Sequence, residues 1–429
     1  MIVNLLARLK RKIAYLFFRF GIYFRFSPKV LSFFFVMGCR IKGPIDDRSV
    51  ANILVLEKVG FVDDVMELAR LSPHVRFIFA PRLWLTELFE TAGVSVCGLT
   101  DASYHVTLSR AEKNRVRHSL APFFDAIRRA TNFDLVLSAN FPYVSQQELF
   151  WWCRQRSIPI WVIYREGLVP DAMRSDYFKD LFLTKVNFAD VMFCQTGEIC
   201  ESIRNSEFLG NFCNKFIPIG LPRLRKVLDN DREWYTRSVF TIFIATPIKL
   251  KIISEYVKQK EVTDWLIKLQ VNLANNLVTR GYKVQVKFKS NLEDRTFFLE
   301  DISPFLDEEI SVVDPAVPAV DLVMESFGCF CFCSTVALEI ISSGAHFVTP
   351  SLRGFGLDDS LFDIGGCFER AVKIKSGSMN EVERMLMITA ASPISFLSDD
   401  SEFKRVWIDP AENFSEELKF VISNGECMK

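Results

Sequence analysis

The sequence predicts an α/β protein built from two doubly wound domains in series. Three observations predict it. At 429 residues the chain suits two or three domains of roughly 100–200 residues each. Short β-branched and aromatic runs alternate with longer amphipathic stretches, the pattern of βαβ units around a parallel sheet. The alternation breaks once, at "IPIGLPRLRKVLDNDREWYTRS" (217–238), and then restarts.

The chain opens with a segment of another kind, residues 1–48. Residues 1–42 carry nine Lys/Arg, and the first acid is Asp46. Phe17, Phe18, Phe20, Tyr23, Phe24 and Phe26 are interleaved with those charges. The apolar run "VLSFFFVMG" (30–38) is about half the roughly 20 residues that a spanning helix needs. Two readings stand: a basic, aromatic segment lying on an anionic membrane surface, or a helix packing its aromatic face on the protein. No A-x-A-like cleavage site follows, which argues against a signal peptide.

In the first half, strands are expected at 52–57, 75–80, 94–99, 133–139, 158–164 and 190–195, with helices over 110–131 and 145–156. Together they make an N-terminal domain of residues 49–225. Past the break, strands are expected at 240–246, 282–289, 310–314, 329–334 and 346–350. Helices fit 335–343 and 261–280, where Trp265, Leu266, Leu269 and Leu273 recur at helical spacing. These form a C-terminal domain of residues 239–400, and an acidic helical tail (401–429) follows. Open α/β sheets bind ligands beyond the carboxyl ends of their strands, so residues just after each strand are the candidates.

Composition removes several classes. Lys+Arg and Asp+Glu both number 52, so the chain is no global polyanion binder, and no nucleic-acid partner is expected. Eleven cysteines without framework spacing read as reduced thiols of a cytoplasmic protein. If the first segment binds lipid, the protein would be peripheral on the inner face of the membrane. The four histidines show no H-x-x-x-H spacing, and there is no G-x-S-x-G elbow, P-loop or G-x-G-x-x-G. Asp229-Asn230-Asp231 reads D-x-D, but it falls in the charged break with no strand before it, so no metal is expected.

The run "CFCFCSTVALEIISSGAHFVTP" (329–350) poses its own question. On one strand, Cys329, Cys331 and Cys333 would share a face about 6.5–7 Å apart, too far to converge on a zinc at about 2.3 Å. They read as packing residues. Ser334-Thr335 then stands where the strand ends and a helix begins, and the open amide end of a helix suits an anion.

This strand–Ser/Thr–helix–Glu339–Gly344–strand order resembles the donor half of GT-B glycosyltransferases, above all those of bacterial surface- and capsular-polysaccharide synthesis. The resemblance implies two Rossmann-like doubly wound domains facing a cleft. It also implies that Ser334, Thr335 and Lys287 hold the donor phosphates and that Glu339 holds the ribose. Lys289 is a further donor-side candidate, although Lys289-Ser290 stands where family members often carry His-Pro, a departure in this chain. "PIGLPRLRK" (218–226), with Arg223, resembles the Gly-x-Pro-Arg turn of the family's interdomain linker. "LEKVGFVDDVMELARL" (56–71) resembles its first loop and offers Lys58, Gly60, Asp63 and Asp64. Asp63 or Asp64 could equally cap the helix.

Tyr164-Arg165-Glu166-Gly167 follows a strand, and Glu166 is the first candidate for a base accepting a proton from a sugar hydroxyl. The expected reaction is metal-independent transfer of a sugar, without a cofactor, from a nucleotide-sugar to a saccharide or lipid-linked acceptor. The alternatives are polyol-phosphate transfer on the same fold, a nucleotide-sugar epimerase, or a non-catalytic scaffold.

Overall fold

Alternate side chains of the first strands enter two different cores, which is what a doubly wound sheet requires. The computed structural model describes residues 2–44, 51–58, 60–95, 104–164, 187–204, 215–228, 237–245, 247, 250, 261–289, 292–359, 370–391 and 405–423. It divides into two compact units. The first comprises Met1–Gly167, Ser175–Arg223 and Arg405–Lys429; the second comprises Leu168–Arg174 and Leu224–Lys404.

The sheet of the first unit contains β1 (Arg40–Lys42), β2 (Ala51–Leu56), β3 (Val75–Ala80), β4 (Leu135–Ser138), β5 (Ile160–Ile163), β6 (Val191–Cys194) and β7 (Lys215–Pro218). Their order is β1-β3-β2-β4-β5-β6-β7. All neighbours are parallel except β1, which runs antiparallel to β3. Leu54, Leu56, Ile78 and Val136 point into one core. Ile53, Val55, Phe77, Phe79 and Leu137 point into the other. This is the period-two alternation of a sheet buried on both faces.

Two helices of the amino-terminal segment, α1 (Ile2–Tyr23) and α2 (Pro28–Met37), supply Ala14, Phe18, Leu31 and Phe35 to the first core. The helix Arg110–Thr131 joins them there; its Ser109–Glu112 capping box fixes its start. The second core is covered by α3 (Phe61–Leu71) and by the last helix, Glu412–Ser423, through Phe414, Leu418 and Val421. Residues 2–44 and 405–423 are therefore structural parts of the first unit. Lys215–Glu417 pairing and a Ser72–Ser415 hydrogen bond of 2.8 Å hold the returning helix in place.

The second unit is built on β8 (Val239–Phe243), β9 (Lys283–Lys287), β10 (Ser311–Val312), β11 (Ser326–Phe330), β12 (His346–Pro350) and β13 (Val372–Ile374). Their order is β10-β9-β8-β11-β12-β13, all parallel. Phe240, Ile242, Val284, Val286, Phe330 and Val348 pack against the helices Glu261–Thr279 and Met379–Ala391. The opposite face is more polar: Gln285 donates to Thr241 at 2.8 Å, and Thr241 and Ser326 share a hydrogen bond.

Two expectations need correction. The cysteine run does not lie in one strand. β11 spans Ser326–Phe330, so only Cys329 is in it, and Cys333 adopts a left-handed φ of 46°. The chain needs residues 331–335 to turn from the strand into the helix Val336–Ser342. Most of the expected strand at 94–99 lies outside the described residues; its first two, Val94 and Ser95, follow a short 3-10 turn. The break at 217–238 is not a bare linker: its described residues hold the end of β7 and a short helix at Leu224–Leu228.

Candidate functional site

The strand orders locate the binding crevices. In the first unit the chain moves from β2 to β3 on one side, then crosses to β4 on the other side of β2. In the second it moves from β8 to β9 on one side, then crosses to β11 on the other. Such a switch opens a gap between two crossover connections at the carboxyl ends of the strands, where open α/β sheets take their ligands.

In the second unit the gap lies between the ends of β8 and β11, and Ser334-Thr335 stands directly beyond β11. The Ser334 hydroxyl accepts a 3.4 Å hydrogen bond from the Val336 amide, which orders the entry to the helix. Lys287 ends β9, two strand spacings (about 10 Å) from the end of β11. Its Nζ donates to the Pro315 carbonyl at 2.8 Å. Burial lowers the Lys287 pKa, against the pull of Asp314 in the other direction. Lys289 is exposed two residues further on, and Ser290 lies outside the described residues. Glu339 is buried one turn into the helix.

Sequence reasoning missed Asp359. Its buried carboxylate accepts from the Leu352 amide at 2.7 Å and from the Ser351 hydroxyl at 3.1 Å, just past the end of β12, with Arg353 at 3.3 Å. Only its place after a strand end, through the "PSLRGFGLDD" turn, could have flagged it.

In the first unit, Lys58 and Gly60 follow β2, and Gly60 takes a left-handed φ of 75° immediately before α3. Lys58 Nζ donates to the Tyr143 hydroxyl and lies 4.8 Å from the centre of its ring. The guanidinium of Arg82, after β3, lies 4.1 Å from the same ring and donates to Ser145 at 2.8 Å. Two cations on one tyrosine concentrate positive potential at the carboxyl rim, a setting that suits an anionic or polyhydroxylated ligand. Arg82, Tyr143 and Ser145 were not singled out in the sequence. Their signal was position alone, a few residues past β3 and β4. Gln195, after β6, donates to the Tyr164 carbonyl at 2.6 Å and so ties two further strand ends together.

Two of the sequence candidates meet each other. Arg223 is buried and donates to both oxygens of Asp64, at 3.0 and 3.1 Å; its backbone amide reaches the same carboxylate at 3.3 Å. Asp64 is therefore not placed as an open base, nor Arg223 as a residue lining a cleft, because each is consumed by the other inside the first unit. Asp63 is half-buried in the first turn of α3. Arg165, Glu166 and Gly167, and the Asp229-Asn230-Asp231 stretch, lie outside the described residues. Among the described residues, no group of three His, Cys, Asp or Glu is arranged to hold a metal ion.

No protein-family model matches the chain, and no curated protein matches it in sequence. Solved structures do match in shape. One is a protein of Listeria monocytogenes assigned as a UDP-N-acetylglucosamine 2-epimerase: TM-score 0.51 and 12% identity, covering 89% of this chain and 98% of that one. Another is the UDP-GlcNAc 2-epimerase of Methanocaldococcus jannaschii: TM-score 0.47 and 10% identity, covering 86% and 99%. At such identities the likeness speaks to architecture. With its two parallel, doubly wound sheets, the chain has a GT-B-like, Rossmann-type α/β fold.

Proposed function

We propose that this chain is an enzyme acting on a nucleotide-sugar, and that it epimerises the sugar rather than transferring it. The observation that carries the nucleotide-sugar reading is the switch point of the second sheet. A hydroxyl-rich helix start, Ser334-Thr335, lies there two strand spacings from Lys287. A diphosphate would take hydrogen bonds from that helix start and charge from Lys287. The buried Glu339 would receive the ribose hydroxyls. Epimerisation is favoured over transfer by the architecture shared with a protein assigned as a UDP-N-acetylglucosamine 2-epimerase. The Lys289-Ser290 pair in place of His-Pro also departs from the transferase pattern.

Glycosyl transfer is the second reading. One observation favours it: the exposed aromatic and basic face of α1, which would suit an enzyme whose acceptor is carried on lipid. Glu166 or Asp63 would then be the base.

The test has two stages. UDP, GDP, CDP and CMP are first compared by thermal stabilisation; a ligand at about 100 times its dissociation constant adds about 2.7 kcal/mol. No shift with any of them removes the nucleotide site. Lys287→Met and Ser334→Ala should each weaken the best ligand, Lys287→Met by at least about tenfold. Matching nucleotide-sugars are then incubated without acceptor and followed by NMR. Appearance of the epimer supports the first reading. Consumption only when a saccharide acceptor is added supports the second.

A further inference from the structure

Helix α1 is apolar on two opposite sides. One side, with Ala14, Phe18 and Ile22, is buried in the first core. The other side carries Leu9, Leu16, Phe17 and Phe20, with Phe24 just beyond its end, and faces solvent. Leu16 is 67% exposed, Phe17 50% and Phe20 51%. At 100° per residue, positions 9, 13, 16, 17 and 20 form one stripe, set roughly opposite the buried one. The stripe continues onto α2, where Phe33 is 60% exposed and Phe34 stacks on Phe17 at 5.3 Å. Monomeric soluble proteins rarely expose contiguous apolar surface on this scale without a use for it.

The charges around the stripe say what covers it. Arg8, Lys10, Lys12, Arg25 and Lys29 are exposed and have no ion-pair partner among the described residues. Arg8 and Lys12 fall on one flank of the stripe at helical spacing, and Lys10 on the other. An open groove of about 490 Å³ lies between α2 and the helix Arg110–Thr131, lined by Lys29, Phe33, Val36 and Arg129. It places two cations beside an exposed aromatic ring. A second copy of the chain would bring like charges face to face, since residues 1–42 contain no acid. An anionic lipid surface meets both features. The aromatic rings enter the boundary between headgroups and acyl chains, and the flanking cations meet lipid phosphates. None of the described helices is long and apolar enough to cross a membrane, so the contact lies in the plane of the surface.

We infer that the outer face of α1 and α2 docks this protein on an anionic membrane surface, in the interfacial plane. The full chain is tested by co-sedimentation with vesicles of pure phosphatidylcholine, and with vesicles containing about a third phosphatidylserine, at low and high salt. Binding to the anionic vesicles, weakened by salt, is expected. Lys10→Gln with Lys12→Gln should lower that binding about 25-fold, at about fivefold per basic residue. Phe17→Ser with Phe20→Ser should abolish it while circular dichroism shows the chain still folded, because both rings are half exposed on the outer face and lose ring contacts with Phe34, Phe24 and Phe26. Three results overturn the inference: no binding to either vesicle, binding that neither variant weakens, or a dimer in light scattering that the Phe17/Phe20 variant dissolves.

Discussion

Replacing Asp64 with Asn tests whether the first loop of the amino-terminal unit is a lock or a catalytic site. The wild-type carboxylate sits 3.0 Å from the Arg223 guanidinium, with the two side chains 1% and 5% exposed. At that distance the attraction is roughly 5 kcal/mol at an effective dielectric of about 20. Desolvation of both groups offsets most of it, so the pair itself adds little net stability. Removing one partner is different, because the buried guanidinium loses its carboxylate, at a cost of about 3–5 kcal/mol. For a unit of this size that corresponds to a fall in melting temperature of roughly 6–20 °C. Adding Arg223→Met removes the buried guanidinium as well, so the double variant should be more stable than the sum of the two single changes predicts. Thermal melts of the four proteins, followed by circular dichroism, give the cycle. A general base would behave otherwise: kcat would fall about 10²–10⁴-fold with the melting temperature unchanged. That outcome, or an Asp64→Asn change within about 0.5 kcal/mol of wild type, would refute the lock.

Three further outcomes are expected. Burial, with Lys113 nearby, holds the pKa of His105 below the ordinary imidazole value, against its hydrogen bond to Gln147. The unfolded chain then binds more protons between the two values, so stability should fall as pH drops through about 6.5 and below. His105→Gln should flatten that part of a stability–pH profile measured by thermal melts. Burial pushes the Cys329 thiol up to about 12, so iodoacetamide at about pH 8.5 should leave it unmodified by peptide mass mapping until the protein is unfolded. Gly220 has a φ of 63°, and a Cβ there would strike the Trp407 carbonyl. Gly220→Ala should cost at least about 1–2 kcal/mol in urea denaturation, and an unchanged midpoint would show that the turn tolerates a side chain.

Most strands and the long helices are legible in the sequence because their signals are local. β3 and β12 fall at the expected residues, as does the helix Arg110–Thr131; β-branched alternation and helical spacing are written in adjacent positions. β1, β7 and β13 escape because short strands such as "RIK" and "VKI" carry too little pattern. The cysteine strand starts three residues and ends four residues earlier than expected for a related reason. Its apolar run continues past the point where the chain must turn toward the helix.

By itself, the sequence determines that this chain alternates strands and helices in two halves, which residues can be apolar, and where a hydroxyl-rich helix start follows a strand. The tertiary structure alone decides strand order, and with it the switch points that make Ser334-Thr335 and Lys58 candidates rather than ordinary loop residues. It decides that Asp64 and Arg223, 159 positions apart, neutralise each other. It carries the last helix back to the first unit, and it chooses which apolar side of α1 the core takes and which it leaves bare. Local patterns encode the propensity of each residue, whereas pairing across the chain depends on which surfaces bury together, and no short window of sequence contains that sum.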